Sequence, residues 1–80
     1  MNVKDIVAAR FTEICKERGI KLNELANVSG VTPSTVYSMV DPNRRDISIT
    51  TIKKLCDGLG ITLGEFFSTD EFDSLEQEIY

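Results

Sequence analysis

Ser34 and Ser38 stand one helical turn apart, with Pro33 ahead of them and Tyr37 between them, so one short segment gathers several small polar groups on one side. A hydroxyl both donates and accepts, which suits recognition of a polar surface better than bond-making. A few residues on, Arg44 and Arg45 are the only adjacent arginines, and planar guanidinium groups pair well with phosphate. Catalysis has no comparable set. The chain has no His and no glycine-rich phosphate loop, and its carboxylates read as solvated helix faces or caps, so no enzyme is expected. Cys15 and Cys56 sit in apolar helical patterns without a His to join them; buried free thiols are expected, with no metal and no cofactor.

The cluster needs a rigid mount, and the surrounding residues describe one. Leu22, Leu25 and Ala26 share one face of a short helix, and Val31, Val36 and Val40 line the inner face of the next. Gly30 supplies the positive-φ corner between them, Thr32 the N-cap, and Pro33 a first helical residue whose missing N–H costs nothing there. Turning the valines inward leaves Pro33, Ser34, Tyr37 and Ser38 outside. Lys21 stands where a Ser or Thr cap is usual at the preceding helix, placing a cation against the macrodipole.

The remaining segments read as support. Asn2 and Asp5 start a first helix that runs through Ile6, Ala9, Phe11, Ile14 and Cys15 towards Arg18, and Gly19 ends it, dropping Ile20 into the core. Asp41-Pro42-Asn43 breaks the third helix, because the residue before a proline is pushed out of helical geometry. Ser48 caps a fourth helix with an apolar stripe of Ile49, Ile52, Leu55, Cys56 and Leu59, stopped by Gly60. Thr62 and Glu65 form a capping box for a fifth, which brings Leu63, Phe66 and Phe67 inward. The spacing of Phe72, Leu75 and Ile79, with Tyr80 beside them, predicts an amphipathic sixth helix whose other face is acidic.

Taken in order, Leu25-Ala26, Gly30-Val31, Pro33-Ser34-Thr35-Val36, Ile52-Lys53-Lys54-Leu55 and Leu59-Gly60-Ile61 resemble the lambda repressor/Cro-type helix-turn-helix family over roughly residues 3–67. The resemblance implies an all-α, compact five-helix helix-turn-helix domain of the lambda repressor-like type, with a short acidic C-terminal helix. Residues 1–67 would form the DNA-binding domain, and 68–80 an acidic amphipathic tail for packing or dimerisation. It implies a sequence-specific regulator of transcription that binds double-stranded DNA, with the segment Thr32 to Val40 in the major groove.

By that resemblance the base contacts fall on Pro33, Ser34, Tyr37 and Ser38. The phosphate contacts fall on Lys21, Asn23, Thr32, Thr35, Asn43, Arg44 and Arg45; apart from the resemblance, the apolar stripe of the tail would let a homodimer meet through Phe72, Leu75, Ile79 and Tyr80. None of the base-reading positions is Arg, Asn or Gln, so direct readout is expected to be weak, with methyl contacts and DNA shape adding to it. The alternative for Arg44 and Arg45 is pairing with Asp41 and Asp46. Cys15 and Val40 occupy the places where many relatives hold a semi-buried Arg–Glu pair, an exchange of both partners that well-packed apolar side chains tolerate. Leu22 occupies the place of a phosphate-binding Gln and cannot make that bond.

Charge at first points away from nucleic acid, since the net value is -4. Its distribution reverses that. From Glu65 onward there are six acids and no base, whereas residues 1–64 hold seven acids against nine bases. The second reading is therefore a protein-interaction module that modulates another regulator through the acidic, aromatic tail. No stretch approaches the ~20 apolar residues of a membrane span, and the N-terminal segment is charged, so a cytoplasmic protein without a membrane partner is expected.

Overall fold

Local capping chemistry sets most of the helix boundaries. A computed structural model describes residues 2–78. Its six helices are α1 (Val3–Arg18), α2 (Leu22–Ser29), α3 (Pro33–Val40), α4 (Ile49–Leu59), α5 (Leu63–Phe67) and α6 (Asp70–Asp73). The described residues contain no strand, and the fold is the all-α arrangement expected. Asn2 and Asp5 cap α1 reciprocally, Thr62 and Glu65 do the same for α5, and Ser48 Oγ accepts from Thr51 N at 3.0 Å to start α4. The Thr62 backbone N–H, and then its hydroxyl, hold the Glu65 carboxyl below the usual range. Thr32 is an exception: it occupies the N-cap of α3, but its hydroxyl pairs with Thr35 Oγ1 at 3.0 Å rather than with the backbone.

The core is a single cluster built from Val7, Ala8, Phe11, Ile14 and Cys15 of α1, Leu25 and Ala26 of α2, Val36 and Met39 of α3, four residues of α4, and Phe66. Phe66 and Phe11 stack with ring centroids 4.2 Å apart. Burial raises the pKa of both Cys15 and Cys56, keeping them as thiols, and both are free.

Two expected core positions turn outward. Ala9 is exposed because the buried stripe of α1 runs through residues 4, 7, 8, 11, 14 and 15, and Ile49, the first residue of α4, is 62% exposed. Met39 takes a buried place that the valine pattern alone did not assign.

The sixth helix is a single turn. Thr69 makes no side-chain cap bond and Ser74 already lies past the end, so Leu75 to Glu78 are not helical. Acids fill this segment without one base, so like charges repel along it and nothing offsets the dipole at its C-terminus. Phe72 nevertheless packs, 4.8 Å from Phe67 and 5.8 Å from Phe66 between centroids, and Glu78 accepts from Val3 N. Leu75 is half-buried, while Ile79 and Tyr80 lie outside the described residues.

Three cations of α1 hold other helices by their C-terminal carbonyls, where a positive charge also meets the favourable end of the helix dipole. Lys4 Nζ donates to Asp41 O at 2.6 Å, Arg10 Nε to Phe66 O at 3.0 Å, and Arg18 Nη1 to Leu59 O. Lys4 is only 2% exposed, a charged residue in a core position.

Helices α2 and α4 approach closely at Gly58. A Cβ placed there would lie 2.1 Å from Ser29 Oγ and 3.0 Å from the Ser29 Cα, and the crowded Ser29 hydroxyl has no hydrogen-bond partner among the described residues. Alanine inside a helix normally adds about 1 kcal/mol over glycine. Gly58→Ala is expected to reverse that sign, costing about 1–3 kcal/mol through overpacking, read as a lower urea midpoint at unchanged slope.

Candidate nucleic-acid interface

The corner between α2 and α3 is closed by backbone bonds that only a left-handed residue allows. Gly30 adopts φ 70°, its N–H reaches back to the end of α2, and Val31 N donates to Ala26 O at 3.1 Å. Leu25 and Ala26 on one side and Val36 and Met39 on the other are buried beneath the corner, with Val31 and Val40 half-buried beside them. This fixes which side of α3 faces out.

Ser34 forms the exposed crest of that side, with Pro33 exposed next to it. The two flanks differ. On one, Tyr37 is half-exposed and donates its hydroxyl to Asn23 Oδ1 of α2 at 2.7 Å. On the other, Ser38 and Thr35 are half-buried and line a depression of about 230 Å3 with Met39, Asp46, Ile47, Ser48 and Thr51. Ser34 and Ser38 therefore sit at different depths: one on the ridge, the other in the wall of a hydroxyl-rich hollow.

At the start of α2, Lys21 is exposed at the N-cap and has no side-chain acceptor to offer. Its own N–H donates to Glu24 Oε1 at 3.2 Å, so the first N–H groups of α2 gain no side-chain cap from Lys21. Asn23 and Thr32 are both exposed.

Beyond α3 the chain turns around Asp41. The Asp41 carboxylate accepts from Asn43 N at 2.9 Å and its carbonyl from Arg44 N at 3.1 Å, while Lys4 anchors that carbonyl from below. Asn43, Arg44 and Arg45 are exposed. Among the described residues the one ion pair is Lys53 with Asp57, so the guanidinium groups of Arg44 and Arg45 carry no carboxylate partner there. The tail makes its contacts with α1 and α5, away from the α3 crest.

A helix–glycine corner–helix with an outward polar ridge and a basic loop at its end is the geometry that lays one helix in a DNA groove and holds phosphates beside it. Residues 10–71 match the Cro/C1-type HTH DNA-binding domain. The chain belongs to that family.

Similar proteins agree with the assignment. The HTH-type transcriptional regulator PuuR of Escherichia coli (strain K12) is 34% identical over 62 residues, covering 78% of this chain and 33% of PuuR. Control protein C.MunI of Mycoplasma sp. is 43% identical over 37 residues, covering 46% of this chain and 50% of its own. The crystal structure of prophage Lp1 protein 11 superposes with a TM-score of 0.82 at 27% identity, covering 92% of this chain and 97% of that one. This Cro/C1-type chain thus spans a third of the length of PuuR and half that of C.MunI, while matching nearly all of prophage Lp1 protein 11. Among its described residues no helix is long and apolar enough to cross a membrane.

Three features of this site were missed in the sequence. The Tyr37–Asn23 bond joins residues 14 apart, and the Lys4–Asp41 bond joins residues 37 apart. The recess that holds Ser38 is made by residues 46–51. A signal for Lys4 existed: it falls three and four residues before Val7 and Ala8, on the buried stripe of α1.

Proposed function

We propose that this Cro/C1-type domain is a sequence-specific transcriptional regulator that lays α3 in the major groove and binds symmetric half-sites as a homodimer. The observation that carries the reading is the exposed crest of Pro33 and Ser34 at the start of α3, followed beyond the end of that helix by exposed Arg44 and Arg45, neither arginine having a carboxylate partner among the described residues. On this reading Ser34 meets a base edge directly. Ser38, recessed, reaches a base only where the DNA backbone presses into the hollow beside it. Lys21, Asn23, Thr32, Thr35 and Asn43 line the phosphates together with the two arginines. The thin hydrogen-bonding repertoire of the crest leaves much of the discrimination to DNA shape, since a serine accepts almost any base.

Selection from a random duplex pool tests this. The retained sequences are expected to contain two inverted half-sites about one helical turn apart, centre to centre. Ser34→Ala is expected to weaken the selected duplex up to about tenfold, the value of one hydrogen bond, and to relax preference at one position of each half-site. A pool that yields no enriched duplex, or a Ser34→Ala protein with unaltered preference and affinity, would overturn the assignment of α3 as the reading element.

A further inference from the structure

The Tyr37–Asn23 bond crosses the surface between α2 and α3, and both partners are exposed. Water competes for every atom of such a pair, so it adds little to stability. Its effect is on orientation. An asparagine side chain carries one acceptor and two donors, and when free it presents either end to a partner. A phosphate only accepts. With Oδ1 engaged by the tyrosine hydroxyl, the acceptor end points along the protein surface, and the Nδ2 donors have no partner among the described residues.

We propose that Tyr37 is a positioning residue: its hydroxyl holds the Asn23 amide so that the Nδ2 donors meet a backbone phosphate of bound duplex. The inference rests on the DNA-binding reading above and changes one part of it, moving Tyr37 from the reading of bases to the support of a phosphate contact. The surroundings agree in sign. Asn23 is the second residue of α2, two positions after exposed Lys21, and the adjacent acid Glu24 is turned back onto Lys21 N. A pre-set amide also avoids the cost of ordering a free side chain on binding.

The consequence is a contact blind to sequence. Phosphate contacts fix register and carry no base information, and a neutral amide releases no counterion. Loss of the tyrosine hydroxyl should therefore weaken all duplexes alike and leave the salt dependence parallel.

The test uses the full chain as Tyr37→Phe, Asn23→Ala and the double variant. Each is measured over a salt series on a duplex retained from the random pool and on an unrelated duplex of equal length. Tyr37→Phe is expected to lose about threefold to tenfold on both duplexes. Its salt slope and base preference should match wild type, and adding it to Asn23→Ala should cost nothing further. A scan of neutral methylphosphonate substitutions supplies a readout that folding alone does not move. One phosphate per half-site should matter to wild type, matter less to Tyr37→Phe and not at all to Asn23→Ala.

A Tyr37→Phe protein that binds like wild type, that shifts base preference, or whose loss adds fully to that of Asn23→Ala overturns the inference while leaving the DNA-binding reading standing. A wild-type protein that retains no duplex overturns both.

Discussion

Phe66→Ala is expected to lower unfolding free energy by about 3–5 kcal/mol, the usual cost of deleting a buried aromatic ring. Few side chains in the domain are held from so many directions. Phe66 is 0% exposed, stacks on Phe11, meets Phe67 edge-on at 5.0 Å and Phe72 at 5.8 Å, and carries the Arg10 guanidinium 5.8 Å from its ring. Helix α5 has only five residues, far too few to persist without tertiary contacts. Removing its central ring should free α5 and the tail with it. Urea denaturation followed by circular dichroism measures this as a large drop in midpoint. A change under about 1 kcal/mol would show that the aromatic stack is not what fastens the C-terminal third.

The double change Arg44→Ala with Arg45→Ala is expected to weaken DNA binding about thirtyfold per bound subunit near physiological salt, roughly a thousandfold for a dimer, while leaving base preference unaltered. The size follows from counterion release: each cation removed from a phosphate lowers the log–log salt slope by about 0.9. The stability of the fold should barely change, because both side chains are exposed and neither pairs with a carboxylate among the described residues. Filter binding or fluorescence anisotropy across a salt series reads slope and affinity together. An unchanged slope would remove the loop after α3 from the phosphate interface.

What was legible in the sequence divides by range. Caps and corners are short-range chemistry, so Asn2 with Asp5, Ser48, Thr62 with Glu65, and the left-handed Gly19, Gly30 and Gly60 could be placed from neighbouring residues alone. Burial is a long-range property. Ile49 satisfies the apolar period of α4 yet faces out, because it is the first residue of its helix and no neighbouring element covers it. The stripe in the tail satisfies the same period, but the helix stops at Asp73 because periodicity does not count the like charges gathered there. For the interface, the outward set of Pro33, Ser34 and Tyr37 follows from which valines turn in. The depth of Ser38 and the partner of Tyr37 depend on elements met elsewhere in the chain.

The bonds from Lys4, Arg10 and Arg18 tie the ends of α3, α5 and α4 to one rod. Such an arrangement couples their melting: a hinge opening at α1 would release all three ends at once, so partial unfolding has no cheap intermediate. The α2–α3 corner is held against α4 as well as α1. Cut away as a peptide, it should lose its shape, and amide hydrogens in α3 should exchange at the rate of global unfolding rather than by local fraying.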